Sequence, residues 1–126
     1  MYKVLIIEDN EDNRDILKHQ LEYLGYAVAE AADGLEGLSQ AEKERPDLVV
    51  VDVMMPGIDG REVARRLRAD PKTKEIPILA ATVLFQADDI HSCLIAGCND
   101  VITKPFTLQQ LREKLAQFLR SEDSQK

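Results

Sequence analysis

The sequence predicts an α/β fold: a doubly wound parallel sheet of five strands with helices on both faces. Three observations carry that expectation. Five short apolar runs recur along the chain, helical periodicities fall between them, and four of the five runs finish at a polar or charged residue. A run that is apolar at every position suits a strand covered on both faces, as strands of a parallel sheet are. With 126 residues and 44% hydrophobic content, the chain is long enough for one such core.

The first strand is read at residues 4–7, followed at once by Glu8 and Asp9. Ile16, Leu17, Leu21 and Leu24 mark the inward stripe of a first helix, with Asp9 or Asn10 as its cap and Gly25 as its stop. Residues 27–29 make the second strand. Asp33 with Glu36 resembles a capping box, opening a second helix that turns Leu35, Leu38 and Ala41 inward and ends before Pro46. The third strand, residues 48–51, delivers Asp52 and then a Met-Met-Pro-Gly turn in which Met55, rather than Met54, plugs the core. Val63, Ala64 and Leu67 mark a third helix closed before Pro71, with Arg61, Arg65, Arg66 and Arg68 on its solvated face beside Glu62. Residues 78–81 precede Thr82, a fourth helix over 88–96 ends at Gly97, and residues 101–102 form the last strand. Lys104 follows, and Pro105 fits a tight cis turn that fixes the ammonium inward. Thr107 caps the fifth helix, whose apolar face is Leu108, Leu111, Leu115, Phe118 and Leu119. Residues 1–120 are read as one domain and 121–126 as a polar tail.

Several function classes are disfavoured at once. A formal net charge of −7 lacks the clustered Lys and Arg that coat nucleic acid, so no direct nucleic-acid partner is expected. No apolar run reaches the roughly 18 residues of a membrane span, and the amino terminus reads as a strand, not a signal peptide. Cys93 and Cys98 lack partners for a zinc site or disulfide framework, so they are expected to be reduced thiols in a cytoplasmic protein. His19 and His91 read as surface or packing residues.

Ligands of open parallel sheets gather at the carboxyl ends of the strands. Glu8, Asp9, Asp52, Thr82 and Lys104 all belong to that edge. Three carboxylates brought together repel, and a hard dication such as Mg2+ is the ordinary remedy. One carboxylate can stay free to attack: Asp is ionised at neutral pH, and aspartyl phosphate formation is an established covalent strategy. Asp52 is the expected acceptor, with the metal, the Lys104 ammonium and the Thr82 hydroxyl stabilising phosphoryl oxygens.

The segments LIIEDN, VVVDVMMPGIDG, ILAAT and ITKPF, in this order and at these intervals, resemble the receiver domain of two-component response regulators. The resemblance runs from Lys3 to about Leu119 and implies a flavodoxin-like sheet of order 2-1-3-4-5. It implies that Glu8 and Asp9 are the acidic metal pair, Asp52 the phosphoacceptor, Thr82 the switch hydroxyl and Lys104 the active-site lysine, with the Met54 backbone carbonyl as third protein ligand to Mg2+. The implied partner is a histidine kinase or histidine phosphotransfer protein, which passes on a phosphoryl group from a phosphohistidine; small phosphodonors substitute. The implied product is a signalling module that catalyses its own phosphorylation and slow dephosphorylation and alters affinity for a downstream protein, not an enzyme. Two positions depart from the family pattern. Val83 replaces a small residue after the switch hydroxyl, and Val101 stands where an aromatic switch is usual.

Two other readings stay open on the residues themselves. A degenerate receiver would work by contact without phosphorylation, as Val83 and Val101 suggest. A phosphohydrolase with an Asp nucleophile would need a second Asp two residues on, where Met54 stands. The Met1 start and the polar tail suggest a complete single-domain regulator.

Overall fold

Residues 48–51 are apolar on both alternating faces, so they lower their free energy only where both faces are covered. The computed structural model describes residues 1–84 and 86–119 and places this run at the centre of a five-stranded sheet. The strands are β1 (Lys3–Ile7), β2 (Ala27–Ala31), β3 (Leu48–Asp52), β4 (Ile78–Thr82) and β5 (Asp100–Thr103). They pair in parallel in the order β2-β1-β3-β4-β5. Between and after them come α1 (Glu11–Tyr23), α2 (Gly34–Glu44), α3 (Gly60–Ala69), α4 (Ala87–Ala96) and α5 (Leu108–Phe118). The predicted fold class and strand order are those observed. The predicted tail at 121–126, with Arg120, lies outside the described residues.

Alternation along each strand sorts the core into two layers. Val4, Ile6, Leu48 and Val50 face α1 and α5, meeting Leu17, Leu21, Leu111 and Leu115. Leu5, Ile7, Val49 and Val51 face α2, α3 and α4, meeting Ala41, Val63, Leu67 and Cys93. Burying each Leu or Val fully is worth about 1.5–3 kcal/mol, and every strand residue named here is at most 1% exposed.

The helix ends follow local chemistry. Asn10, not Asp9, caps α1, its Oδ1 accepting from the Asn13 N–H at 2.9 Å. Asp33 caps α2 through the Glu36 N–H at 2.8 Å, and Thr107 opens α5 in a reciprocal capping box with Gln110. Gly97 ends α4 at a φ of 120°, and the Cys98 N–H reaches back to the Cys93 carbonyl at 3.1 Å. Both cysteines are free and buried there.

Three expectations need correction. Ile16 and Leu35 are 59% and 63% exposed, so neither faces the core. In α1 the core positions are Leu17 and Leu21, and Ile16 lies about 100° round the helix from Leu17. In α2 the inward face is built partly of glycine: a Cβ on Gly37 would lie 2.4 Å from Ile7 Cδ1. The arginines of α3 do not share one solvated face either. Arg65 and Arg66 pair with Glu62 in solvent, but Arg61 bonds Asp59 and Ser92. Arg68 donates to the carbonyls of Gly97, Lys74 and Ile76 and to Asn99 Oδ1, at 2.6–3.0 Å. Met55 is buried and Met54 exposed, as expected. Helix α3 begins at Gly60, where a Cβ would lie 2.7 Å from the Asp52 carbonyl oxygen. Among the described residues, no helix is long and apolar enough to cross a membrane.

Candidate functional site

Parallel pairing aligns the carboxyl ends of the strands, so the residue closing each strand meets its neighbours at one edge. Glu8 follows β1, Asp52 closes β3 opposite Ala81 of β4, and Thr82 closes β4 opposite Thr103 of β5. Lys104 is next along the chain, and its N–H donates to the Thr82 carbonyl at 2.7 Å. The Lys104–Pro105 peptide is cis, as the sequence suggested. The ammonium turns inward: Lys104 Nζ lies 2.9 Å from Glu8 Oε1 and 3.6 Å from Asp52 Oδ1.

Glu8, Asp9 and Asp52 each offer an oxygen within 4.8 Å of the other two. Their exposures differ. Glu8 and Asp52 are 4% and 9% exposed, whereas Asp9 stands in solvent, released from capping by Asn10. Glu8 is held on two sides, since its Oε2 also accepts from the Asn10 N–H at 3.1 Å. Asp52 Oδ1 accepts from the Met54 N–H at 3.3 Å. Thr82 is buried, and its Oγ1 accepts from the Leu84 N–H at 3.0 Å, which leaves the hydroxyl proton free to donate.

The charges do not balance. Among the described residues three carboxylates gather here beside one ammonium, which contacts two of them, a formal sum of −2. Burial pushes the Asp52 carboxyl up to about 6; Lys104 opposes this rise and Glu8 adds to it. Burial also disfavours ionised Glu8, but the hydrogen bond from Lys104 and that from the Asn10 N–H outweigh it and hold Glu8 below its ordinary value. Lys104 therefore neutralises Glu8 first. Hard carboxylate oxygens, close-set and short of positive charge, fit a hard dication such as Mg2+.

Sequence reasoning missed one residue. Arg14 of α1 donates from Nη1 to the Glu8 main-chain carbonyl at 2.9 Å, while its Nε lies 3.6 Å from Glu30 Oε1 on β2. It pins the loop that presents Glu8 and Asp9 without facing the carboxylates. Its sequence signal is a basic residue in the first turns of a helix that follows an acidic pair.

Residues 4–116 match the family described as the response regulator receiver domain. The chain is 37% identical over 123 residues to the DNA-binding dual master transcriptional regulator RpaA of Synechocystis sp., covering 98% of this chain and 51% of that protein. It is 40% identical over 121 residues to the probable transcriptional regulator ycf27 of Porphyridium aerugineum, covering 96% and 49%. The chain thus spans about half the length of these curated relatives. Among solved structures it is similar to the chemotaxis protein CheY4 of Vibrio cholerae, with a TM-score of 0.90, 34% identity and 94% and 99% of the two chains covered. It is also similar to the receiver domain of the sensor histidine kinase PA1611 of Pseudomonas aeruginosa, with a TM-score of 0.88, 34% identity and 95% and 98% covered. That structure carries a magnesium ion in its active-site cleft.

Proposed function

The chain belongs to the response regulator receiver domain family, a module of two-component signalling, and from that premise we propose that Asp52 accepts a phosphoryl group from the phosphohistidine of a histidine kinase or histidine phosphotransfer protein. The observation that carries this reading is the site's imbalance. Asp52 ends β3 within 3.6 Å of an ammonium that is already engaged by Glu8. Its carboxylate is therefore present but not fully neutralised, as a nucleophile must be.

Glu8, Asp9, Asp52 and the Met54 backbone carbonyl are the groups proposed to hold Mg2+, which supplies charge to phosphoryl oxygens when bound. The chain's own residues do the rest. Asp52 Oδ attacks phosphorus as the P–N bond of the phosphohistidine breaks and its electron pair leaves with the imidazole nitrogen. Lys104 offers its ammonium to the phosphoryl oxygens, and the Thr82 hydroxyl donates to another of them. Arg14 and Asn10 hold the loop that carries Glu8 and Asp9. The result is a signalling module that catalyses its own phosphorylation and slow dephosphorylation, read out in the cytoplasm by a protein partner. DNA binding is named for the longer RpaA relative; for this chain the net charge of −7 supports a protein partner.

One observation favours a second reading. Val101 is aliphatic and 8% exposed, so it has no aromatic ring to swing inward, and a receiver working by contact alone is the consequence if phosphorylation fails. Incubation with acetyl phosphate and Mg2+, followed by intact mass measurement, separates the possibilities. One phosphoryl adduct is expected, absent from Asp52→Asn. No adduct on the natural chain overturns the acceptor role, and steady phosphate release without an adduct favours a phosphohydrolase.

A further inference from the structure

Glu8, Asp52 and Lys104 also form the polar mouth of a cavity of about 400 Å3, a size ordinary for small-molecule sites. Beyond the mouth its walls are mainly apolar, built by Ile16 and Leu17 of α1, Val83 after β4, and Pro105 and Phe106 after β5, with Asn13 and Gln20 of α1 as the polar members. Ile16 and Val83 are 59% and 57% exposed. Two large aliphatic side chains thus stand in water on the rim of one cavity. A single exposed aliphatic residue means little, but two that converge on a charged mouth mark a place for an amphipathic ligand.

A phosphoryl group uses only the mouth. In an in-line transfer the attacking oxygen and the leaving group lie on opposite sides of phosphorus, so the leaving group projects beyond the polar groups that hold the phosphoryl oxygens. The apolar wall is the part of this site that no charged ligand satisfies. We propose that the chain takes phosphoryl groups from small acyl phosphates whose leaving carboxylate bears an aromatic or branched apolar group, seated between Ile16, Val83 and Phe106.

The inference rests on Asp52 being the acceptor. The Asp52 Oδ–P bond forms as the P–O bond to the acyl group breaks, and the electron pair of that bond leaves with the carboxylate. Nothing is oxidised or reduced, and no proton is required. Lys104 meets the phosphoryl anion while the ring or branched chain leaves water. Covering roughly 100 Å2 of ring surface corresponds to about a tenfold to hundredfold preference in rate.

Three donors test this with Mg2+ present throughout: benzoyl phosphate, acetyl phosphate and phosphoramidate, with adduct formation followed by intact mass. Benzoate and acetate are leaving groups of similar basicity, so intrinsic reactivity is nearly matched. The expected result is benzoyl phosphate at least about tenfold faster than acetyl phosphate. In Ile16→Asn, an exposed position outside the acceptor machinery, that ratio is expected to fall at least threefold. The ratio of acetyl phosphate to phosphoramidate should hold. Adducts at equal rates from the two acyl phosphates overturn this inference and leave the acceptor reading intact. An unchanged benzoyl preference in Ile16→Asn also overturns it. No adduct from any donor sinks both.

Discussion

The two edges of the sheet are built from the same kinds of residue and treat charge in opposite ways. At the amino edge, charges and backbone groups are matched. Lys3 pairs with Glu44 at 3.0 Å, Lys114 pairs with Asp100 at 2.8 Å, and Asp47 accepts from the Lys3 N–H. Arg68 divides its donors among four acceptors, and one of these, Asn99 Oδ1, also accepts from the Ile78 N–H that opens β4. At the carboxyl edge, among the described residues, three carboxylates gather beside one ammonium, which contacts only Glu8 and Asp52. One edge removes its electrostatic cost and the other retains it, which teaches that the retained cost is where this fold can do work on a ligand.

Breaking the matched edge should give the largest effect. Arg68→Ala leaves three carbonyls and Asn99 short of donors, and a loss of about 2–4 kcal/mol in chemical denaturation is expected. Mg2+ affinity of the folded variant should stay unchanged. A variant of normal stability would show that the amino edge does not hold the fold in this way.

The unmatched edge predicts the opposite sign. The folded, metal-free protein keeps a proton on Asp52 up to about pH 6, whereas the ordinary value is 3.8. Between those limits the native state binds more protons than the unfolded chain, so this group's contribution to stability falls as pH rises through that window and stays low above it. Asp52→Asn should therefore stabilise the metal-free protein at pH 7.5, by at most about 3 kcal/mol, and flatten the slope between pH 4 and 6. Added Mg2+ should narrow the gap between the two proteins. Denaturation series across pH test this, and a destabilised Asp52→Asn protein contradicts it.

A smaller difference lies within the site. Asp9 stands in solvent while Glu8 is buried and engaged by Lys104 and Asn10, so Asp9→Ala should weaken Mg2+ binding about tenfold and Glu8→Ala by less. Calorimetric titration of both decides it, equal or reversed losses refuting the ranking. The smallest expected change concerns the lifetime of the phosphorylated protein. Met54 and Leu84 stand two residues beyond Asp52 and Thr82 in sequence, and neither side chain accepts a hydrogen bond of useful strength, although Leu84 packs against the core. Met54, 54% exposed, is the cleaner site, and Met54→Asn should speed loss of phosphate a few-fold at fixed pH and Mg2+. An unchanged rate removes that account of slow reset.

How far the sequence could be read follows the same division. The strands of both edges were legible because continuous burial demands continuous apolar runs, although β2 continues to Ala31 where Glu30 obscures the pattern. The carboxyl edge was legible because charged residues at the ends of such runs have few structural uses, and the structure brings Glu8, Asp9, Asp52 and Lys104 together. Periodicity failed where it counts only large side chains. In α2 the core face is made by Gly34, Gly37 and Ala41, so Leu35 was assigned to a face that has no room for it. Arg68 was illegible for another reason: three of its four partners are main-chain carbonyls, which a sequence does not display, and the Glu8 carbonyl hid half of Arg14's role in the same way.

Gly60 carries no charge, touches no proposed ligand and forms no bond that another residue's N–H could not form. Yet its missing Cβ is what lets α3 begin 2.7 Å from the Asp52 carbonyl oxygen and 2.9 Å from Val53 Cα. In a saturation scan of this chain scored by signalling, every substitution at Gly60 should fall with those at Asp52, and by that score alone the two positions would look like partners in one chemistry. Scoring abundance beside signalling would part them: Asp52→Asn should remain plentiful and silent, while Gly60 variants disappear from the cell. Clearance, like catalysis, leaves an invariant residue behind, and only the second measurement tells which of the two a silent position records.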